Sequence, residues 1–485
     1  MKTLKRYNLL YLHLSLILGS RLSFILALPL ILCTSIGLYS CTEHTSESMD
    51  VGISEDQETF TNDQDMLVND QGMLANDQGV APDRMRDEDS IDQMLIEQLE
   101  SYLANSTQQR GIFAELEFAT RSLNQATADA VSELLWNDYQ QQVLEQESSL
   151  HEQGIITYQE WTMPYVCFEH GEKPNDGWTL YLSMHGGGGA PAEVNDEQWE
   201  NQKHLYDQTG KIQEGLYCAP RAPTNTWNMW HQEHIDHLFS RLITRLIILE
   251  QVNPNRVMLM GYSAGGDGVY QLAPRLADRF AAAAMSAGHP NGAEPYGLRN
   301  IGFTIHMGAE DQAYDRAQVA SEWAIKLQEH QQADPYPDEA YQHEVTLHTG
   351  VGHWMSLRDA VSFDFMRPFI RSLSPRMIHW AQSEVTHERF YWLKASNPLS
   401  GDRVMAMHEG QTFTIKPEQR SQYALLLTQD LVDLNEEIIV YGPNNQVIYQ
   451  GEVNRTALAI YHSLQERGDP QAIYQAEVSL PLLLP

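Results

Sequence analysis

The residues best placed to do chemistry are Gly261-Tyr262-Ser263-Ala264-Gly265. A serine with glycines two positions away on each side follows the apolar run Val257-Met258-Leu259-Met260. That pattern predicts a tight turn from a buried strand into a helix, with the hydroxyl lifted clear of the sheet. Gly261 and Gly265 suit the turn because side chains there would collide with it. Asp267 to Ala273 has helical periodicity, and a helix starting here aims its first amides at any oxyanion that forms on a substrate. This equipment suits a nucleophilic serine.

Acyl transfer also needs a second inward-pointing donor, a base and a group to orient the base. Upstream, His185-Gly186-Gly187-Gly188-Gly189 follows the strand-like run 179–184. The N–H of Ala264 and, best placed in the glycine run, that of Gly187 are the expected oxyanion donors. Downstream, the apolar run 301–308 leads into Ala309-Glu310-Asp311, and the alternating run 343–348 leads into Thr349-Gly350-Val351-Gly352-His353-Trp354. The chain order Ser263, Asp311, His353, each at a strand end, predicts a catalytic triad. Glu310 competes with Asp311, and His289, His306, His343 and His348 compete with His353. His306 and His348 fall within strand patterns and read as packed. His289, after Ala284-Met285-Ser286-Ala287-Gly288, reads as a substrate contact in the cleft. Trp227 and Trp230 lie in a loop expected to overhang the site, where they could meet an aromatic or sugar-linked ester or serve as core. Trp354 is equally suited to packing and to walling the acyl site.

These elements alternate strand and helix, which predicts an α/β fold with a mostly parallel sheet and helices on both faces. From about 161 to 372 the chain resembles an α/β-hydrolase. The likeness rests on residues 185–189 and 261–266, on Gly308-Ala309-Glu310-Asp311 and on Gly350-Val351-Gly352-His353. Within that superfamily it is similar to secreted esterases related to poly(3-hydroxybutyrate) depolymerases, with dienelactone hydrolases and prolyl-oligopeptidase-like enzymes as cousins. The resemblance implies Ser263 as nucleophile, His353 as general base, Asp311 as its orienting acid and a structural His185. It implies hydrolysis of a small-molecule or polymeric ester with no metal or organic cofactor. A peptidase of the prolyl-oligopeptidase type shares the triad, but residues 42–100 lack the strand repeats of its propeller. The run His231-Gln232-Glu233-His234-Ile235-Asp236-His237 lacks H-E-x-x-H spacing and reads as a solvated helix start rather than a metal site.

The rest of the chain divides around this catalytic region, taken as 151–374. A formal charge of −34 excludes nucleic acid and anionic membrane surfaces as natural partners, and no protein partner is expected. Residues 1–41 combine a basic start, apolar runs and the end Leu38-Tyr39-Ser40-Cys41, which reads as an export signal. Its end resembles a bacterial lipoprotein cleavage box, which makes Cys41 the expected lipidation site. The protein would then be an outer-membrane lipoprotein, periplasmic or at the cell surface. An uncleaved anchor and an ordinary cleaved signal remain alternatives. Residues 42–100 hold 17 Asp and Glu against two Arg, too polar to bury a core, and read as a disordered tether. Asn-Asp-Gln recurs there at 62, 69 and 76 without the pattern of a calcium loop. Residues 101–150 read as a helical lead-in, packed on the hydrolase or forming a stalk. Beyond Pro375, short strands separated by turns such as Gly442-Pro443-Asn444-Asn445 predict a β-rich accessory domain, 375–485, closed by a helix near 455–467. A structural role for it is favoured over carbohydrate or polymer binding. Cys167 and Cys218 fall in neighbouring strands and are expected to be buried thiols, since adjacent strands rarely give bridge geometry.

Overall fold

The structure, a computed structural model, describes residues 82–485, with side chains from Asp92 onward. The leader with Cys41, the Asn-Asp-Gln repeats and the rest of 1–81 lie outside the described residues. Two long helices open the described chain: α1, Pro82–Leu103, and α2, Gln125–Glu152. The tether was expected to run to residue 100, yet α1 begins well before that point. Leu95 and Leu99, four apart and buried, give α1 an apolar stripe that packs it against α2 despite the surrounding carboxylates. Asn124 caps α2, its side chain accepting the Thr127 N–H at 2.8 Å.

The central sheet follows as β1 (Ile155–Tyr158), β2 (Trp161–His170), β3 (Trp178–Met184), α3 (Ala192–Lys203), β4 (Gly215–Pro220), α4 (Glu233–Leu249), β5 (Val252–Tyr262), α5 (Ala264–Arg275), β6 (Ala282–Ser286), β7 (Gly302–Gly308), α6 (Arg316–Ala333), β8 (His343–His348) and the short α7 (Ser362–Met366). Its strand order is β1-β2-β4-β3-β5-β6-β7-β8. From β4 to β8 all strands run parallel, and β2 is antiparallel to both of its neighbours. Strand periodicity sorts the core into two layers. Leu180, Leu182, Val257 and Leu259 face α4 and α5, while Tyr181, Met258 and Met260 face Phe363 and Met366 of α7. Helices therefore cover both faces, as a parallel sheet requires.

Residues after β8 and α7 build two further sheets. Their strands are β9 (Met377–Ala381), β10 (Arg389–Phe390), β11 (Leu393–Ser396), β12 (Arg403–Glu409), β13 (Thr412–Pro417), β14 (Gln422–Leu427), β15 (Ile438–Tyr441) and β16 (Val447–Gly451), then α8 (Ala457–Arg467) and β17 (Ala476–Ser479). They pair in the orders β10-β11-β14-β17 and β16-β15-β13-β12-β9. Trp380, Phe390 and Trp392 share one continuous core with the central sheet. The lead-in packs on more than the hydrolase: α2 lies against α4 and also against α8, where Phe113 stacks on Tyr461 at 4.2 Å.

Cys167 and Cys218 are bonded to each other rather than free thiols. The expectation overlooked strand direction. Because β2 runs antiparallel to β4, the two residues are direct register partners with Cα atoms 4.1 Å apart, the close kind of antiparallel pair. The bond closes a span of 51 residues. Replacing both cysteines with alanine is expected to lower stability by about 2–4 kcal/mol, and a reductant should depress the wild-type melting temperature while leaving that of the double variant unchanged.

Candidate active site

The site lies where β3 and β5 run side by side and their connections diverge, the position at which open parallel sheets hold ligands. Register pairs Met184 with Gly261, so the glycine run leaving β3 and the serine turn leaving β5 emerge together. The turn is tight: a Cβ on Gly261 would sit 2.3 Å from the Gly265 carbonyl oxygen. Ser263 adopts φ 58° and ψ −120°, a region that L-residues rarely occupy and that persists where surrounding structure enforces it. Its N–H donates to Ser286 O at 2.9 Å, and its carbonyl accepts from Asp267 N at 3.0 Å.

The structure brings the three expected residues together from three strand ends. Ser263 Oγ lies 2.9 Å from His353 Nε2, and His353 Nδ1 lies 2.6 Å from Asp311 Oδ2. Asp311 is buried, with Arg316 Nη1 3.8 Å from its other oxygen. Adjacent parallel strands explain the meeting, since β7 ends at Gly308 directly opposite His348 of β8. The histidine loop is fixed by Tyr262, whose hydroxyl donates to His353 O at 2.6 Å and accepts from Met355 N at 2.9 Å. Of the rival bases, His306 is buried, and burial pushes its pKa down to about 3. It faces His348 at 3.2 Å. His343 is tied to Tyr341 O.

The N–H groups of Gly187 and Ala264 make no hydrogen bond among the described residues, and both residues line a cavity of about 540 Å³ at Ser263. The next amide, Gly188 N–H, is already committed to Asn195 Oδ1 at 2.9 Å. Sequence reasoning passed over Asn195, which sits in the polar run Glu193-Val194-Asn195-Asp196-Glu197 and looks like surface. It is fully buried and donates to Gly188 O and Ala190 O at 3.1 and 3.3 Å. Gly187 has φ +112°, and a Cβ there would meet Asn195 Oδ1 at 2.0 Å. Asn195 therefore clamps the loop in the shape that leaves Gly187 N–H uncommitted. His185 holds the start of the same loop: Nε2 accepts Ala222 N–H at 3.1 Å, so Nδ1 carries the proton and donates to Gly186 O at 2.6 Å. Burial lowers its pKa to about 3, so it remains the neutral tautomer this geometry needs.

The expected substrate contacts separate. His289 and Trp227 line the cavity, whereas Trp354 is absent from its walls and packs 5.7 Å from the Tyr262 ring. Trp230 is fully buried core, its indole N–H donating to His185 O at 3.0 Å. Asp267 Oδ1 accepts His289 N–H at 2.6 Å and fixes the His289 backbone. Of the histidines near α4, His234 is buried and His231 partly so, while His237 stays exposed. His234 stacks on Trp161 at 3.9 Å, His237 stacks on Tyr158 at 4.2 Å, and His231 meets Trp227 edge-on at 5.4 Å. Aromatic neighbours account for this run.

No protein-family model matches the chain, and no curated protein does. Solved structures similar to it include a thermostable esterase, with 14% identity over 45% of this chain and 63% of that one, TM-score 0.34. Another is LpqC, a poly(3-hydroxybutyrate) depolymerase from Bordetella parapertussis, with 16% identity over 42% and 85%, TM-score 0.32. A third is a carboxylesterase from Bacillus cereus, with 13% identity over 47% and 98%, TM-score 0.32. This chain thus spans less than two thirds of the thermostable esterase. With parallel strands from β4 to β8 in this order, a glycine loop leaving β3 and a strained serine between β5 and α5, the central region has the α/β-hydrolase fold.

Proposed function

We propose that the protein hydrolyses carboxylic esters, with Ser263 as nucleophile, His353 as general base and acid, and Asp311 as the group that orients and charge-balances the imidazole. The observation carrying this reading is the hydrogen-bonded chain from Ser263 through His353 to Asp311, set beside two uncommitted amides. His353 Nε2 takes the hydroxyl proton as Ser263 Oγ bonds to the ester carbonyl carbon. The carbonyl oxygen becomes an oxyanion held by the N–H groups of Ala264 and Gly187. As the tetrahedral centre collapses, the carbon–oxygen bond to the alcohol breaks and His353 returns its proton to that leaving oxygen. Water then repeats the sequence on the acyl-serine, releasing the acid and restoring the hydroxyl. His289 and Trp227 would contact the substrate from the cavity wall.

We also propose that the protein acts outside the cytoplasm, attached through a lipid on Cys41. The apolar leader ending in Leu-Tyr-Ser-Cys supports this reading. So does the disulfide between Cys167 and Cys218, which fits an oxidising compartment.

Ser263→Ala should lower kcat for p-nitrophenyl acetate by about 10⁴-fold or more, and wild-type turnover of dipeptide p-nitroanilides above that of esters would replace the esterase reading with a peptidase. Asn195→Ala is expected to reduce kcat by about 10–100-fold with KM little changed, because a loosened donor acts in the transition state rather than in substrate binding. Steady-state kinetics checks both, and a KM effect without a kcat effect would remove Asn195 from the oxyanion argument. Cys41→Ser should abolish metabolic fatty-acid labelling and release the protein from the membrane fraction; persistent labelling would place the lipid elsewhere.

A further inference from the structure

Both anchors of the oxyanion loop end on one short segment, 221–225, which follows β4. His185 Nε2 accepts Ala222 N–H at 3.1 Å, and Asn195 Nδ2 donates to Asn225 Oδ1 at 3.0 Å. The segment belongs to no helix or strand, although Arg221 N–H donates to Pro164 O at 2.7 Å. Pro220 and Pro223 lack N–H groups. Regular backbone pairing is therefore closed to this stretch, and its carbonyls need side-chain partners.

Arg221 supplies them from a side chain only 10% exposed. Its Nη1 donates to Ala222 O at 2.6 Å and, at longer range, to Thr224 O at 3.4 Å. Nη2 donates to Asn225 Oδ1 at 2.5 Å, and Nε donates to Asp196 Oδ1 at 2.9 Å. The Asp196 side chain is 60% exposed, so that ion pair adds little by itself. The bonds to 222–225 matter more, because they fold the segment around a planar fork of donors that arginine alone provides. The Ala222 peptide is thereby held from both sides, its N–H by His185 and its oxygen by Arg221. Asn225 Oδ1 is shared between Arg221 and Asn195, and Asn195 Oδ1 takes the Gly188 N–H next to the free amide of Gly187. Arg221 is absent from the walls of the cavity at Ser263. It works on the loop rather than on a ligand.

We propose that Arg221 is a positioning residue for the oxyanion hole. Acting through Asn225 and Asn195 on one side and through Ala222 and His185 on the other, its guanidinium fixes the direction of Gly187 N–H. It thereby governs the rate of acyl transfer without touching the substrate. The proposal rests on the ester-hydrolase reading and goes beyond it by tying one oxyanion donor to the segment after β4. The other donor, Ala264 N–H, belongs to α5 and does not depend on Arg221.

Arg221→Met keeps the apolar stem and removes every donor. It should lower kcat for p-nitrophenyl acetate by about tenfold with KM within about twofold, since a misdirected donor costs less than a deleted one. Arg221→Lys should not restore the rate, because one ammonium cannot serve acceptors spaced for a fork. In a double-mutant cycle the loss from Arg221→Met should shrink to about threefold or less when Asn195→Ala is already present, the second change falling on a brace already cut. A purely structural role would lower the melting temperature and give losses that multiply. Should Arg221→Met fail to fold, Asn225→Ala, a milder change at an exposed position, runs the same cycle with an expected loss of about threefold or more. Unchanged kcat in Arg221→Met, or in Asn225→Ala where the former does not fold, would overturn the proposal. So would losses that multiply in the cycle, or an effect on KM alone. Absence of wild-type turnover of p-nitrophenyl acetate would instead sink the ester-hydrolase reading itself, and the two failures are thereby distinguishable.

Discussion

The contact between the last carbonyls of β3 and the first turn of α5 sets the geometry of the whole site. A Cβ on Gly265 would lie 2.1 Å from Met184 O, so the helix can start here only because residue 265 lacks a side chain. That approach brings the free amides of α5 beside the glycine run that follows Met184 and forces Ser263 into its strained conformation. A strained residue persists only where its surroundings over-determine it. Here the Ser263–Ser286 and Asp267–Ser263 backbone bonds do so, together with the packing of buried Val269 and Leu272.

Around that contact the loops are held chiefly by polar side chains bonded to backbone. Asn195 fixes the glycine run, His185 ties its start to the segment after β4, and Tyr262 fixes the loop that carries His353. Such anchoring does not depend on the loop side chains themselves, apart from the glycine at 187, which leaves room for Asn195. It is also insensitive to pH for His185, whose depressed pKa keeps it neutral far below the usual histidine range. Asp236 follows another logic. Burial opposes its charge, but Arg275 and His387 outweigh burial and its pKa is lowered, so this link between α4 and the C-terminal domain stays ionised.

Local patterns in the sequence carried most of the site. Ser263, the glycine run and the loops holding Asp311 and His353 are each encoded within a few residues, and the structure brings them to one place through strand order. What escaped depends on partners far away in the chain. The Cys167–Cys218 bond requires that β2 be antiparallel, which neither cysteine's neighbourhood reveals. Asn195 looks like a surface residue until the loop folds over it. Trp227 and Trp230 are three residues apart and looked alike as cleft aromatics, yet one is exposed at the cavity and the other wholly buried. The start of α1 is masked because acidic residues dominate 82–92, so the helical spacing shows only from Met94, Leu95 and Leu99 onward.

The union of α2 with α8 has a mechanical side. Leu123 N–H bonds to Arg455 O at 2.9 Å, Leu458 N–H to Ala119 O at 2.8 Å, and buried residues of α1, α2 and α8 form one apolar cluster. The first and last parts of the described chain are therefore buckled together on the outside of the catalytic sheet. Tension entering at the amino end would load this clasp before it reached β3 or β5, shielding the serine turn from pulling forces.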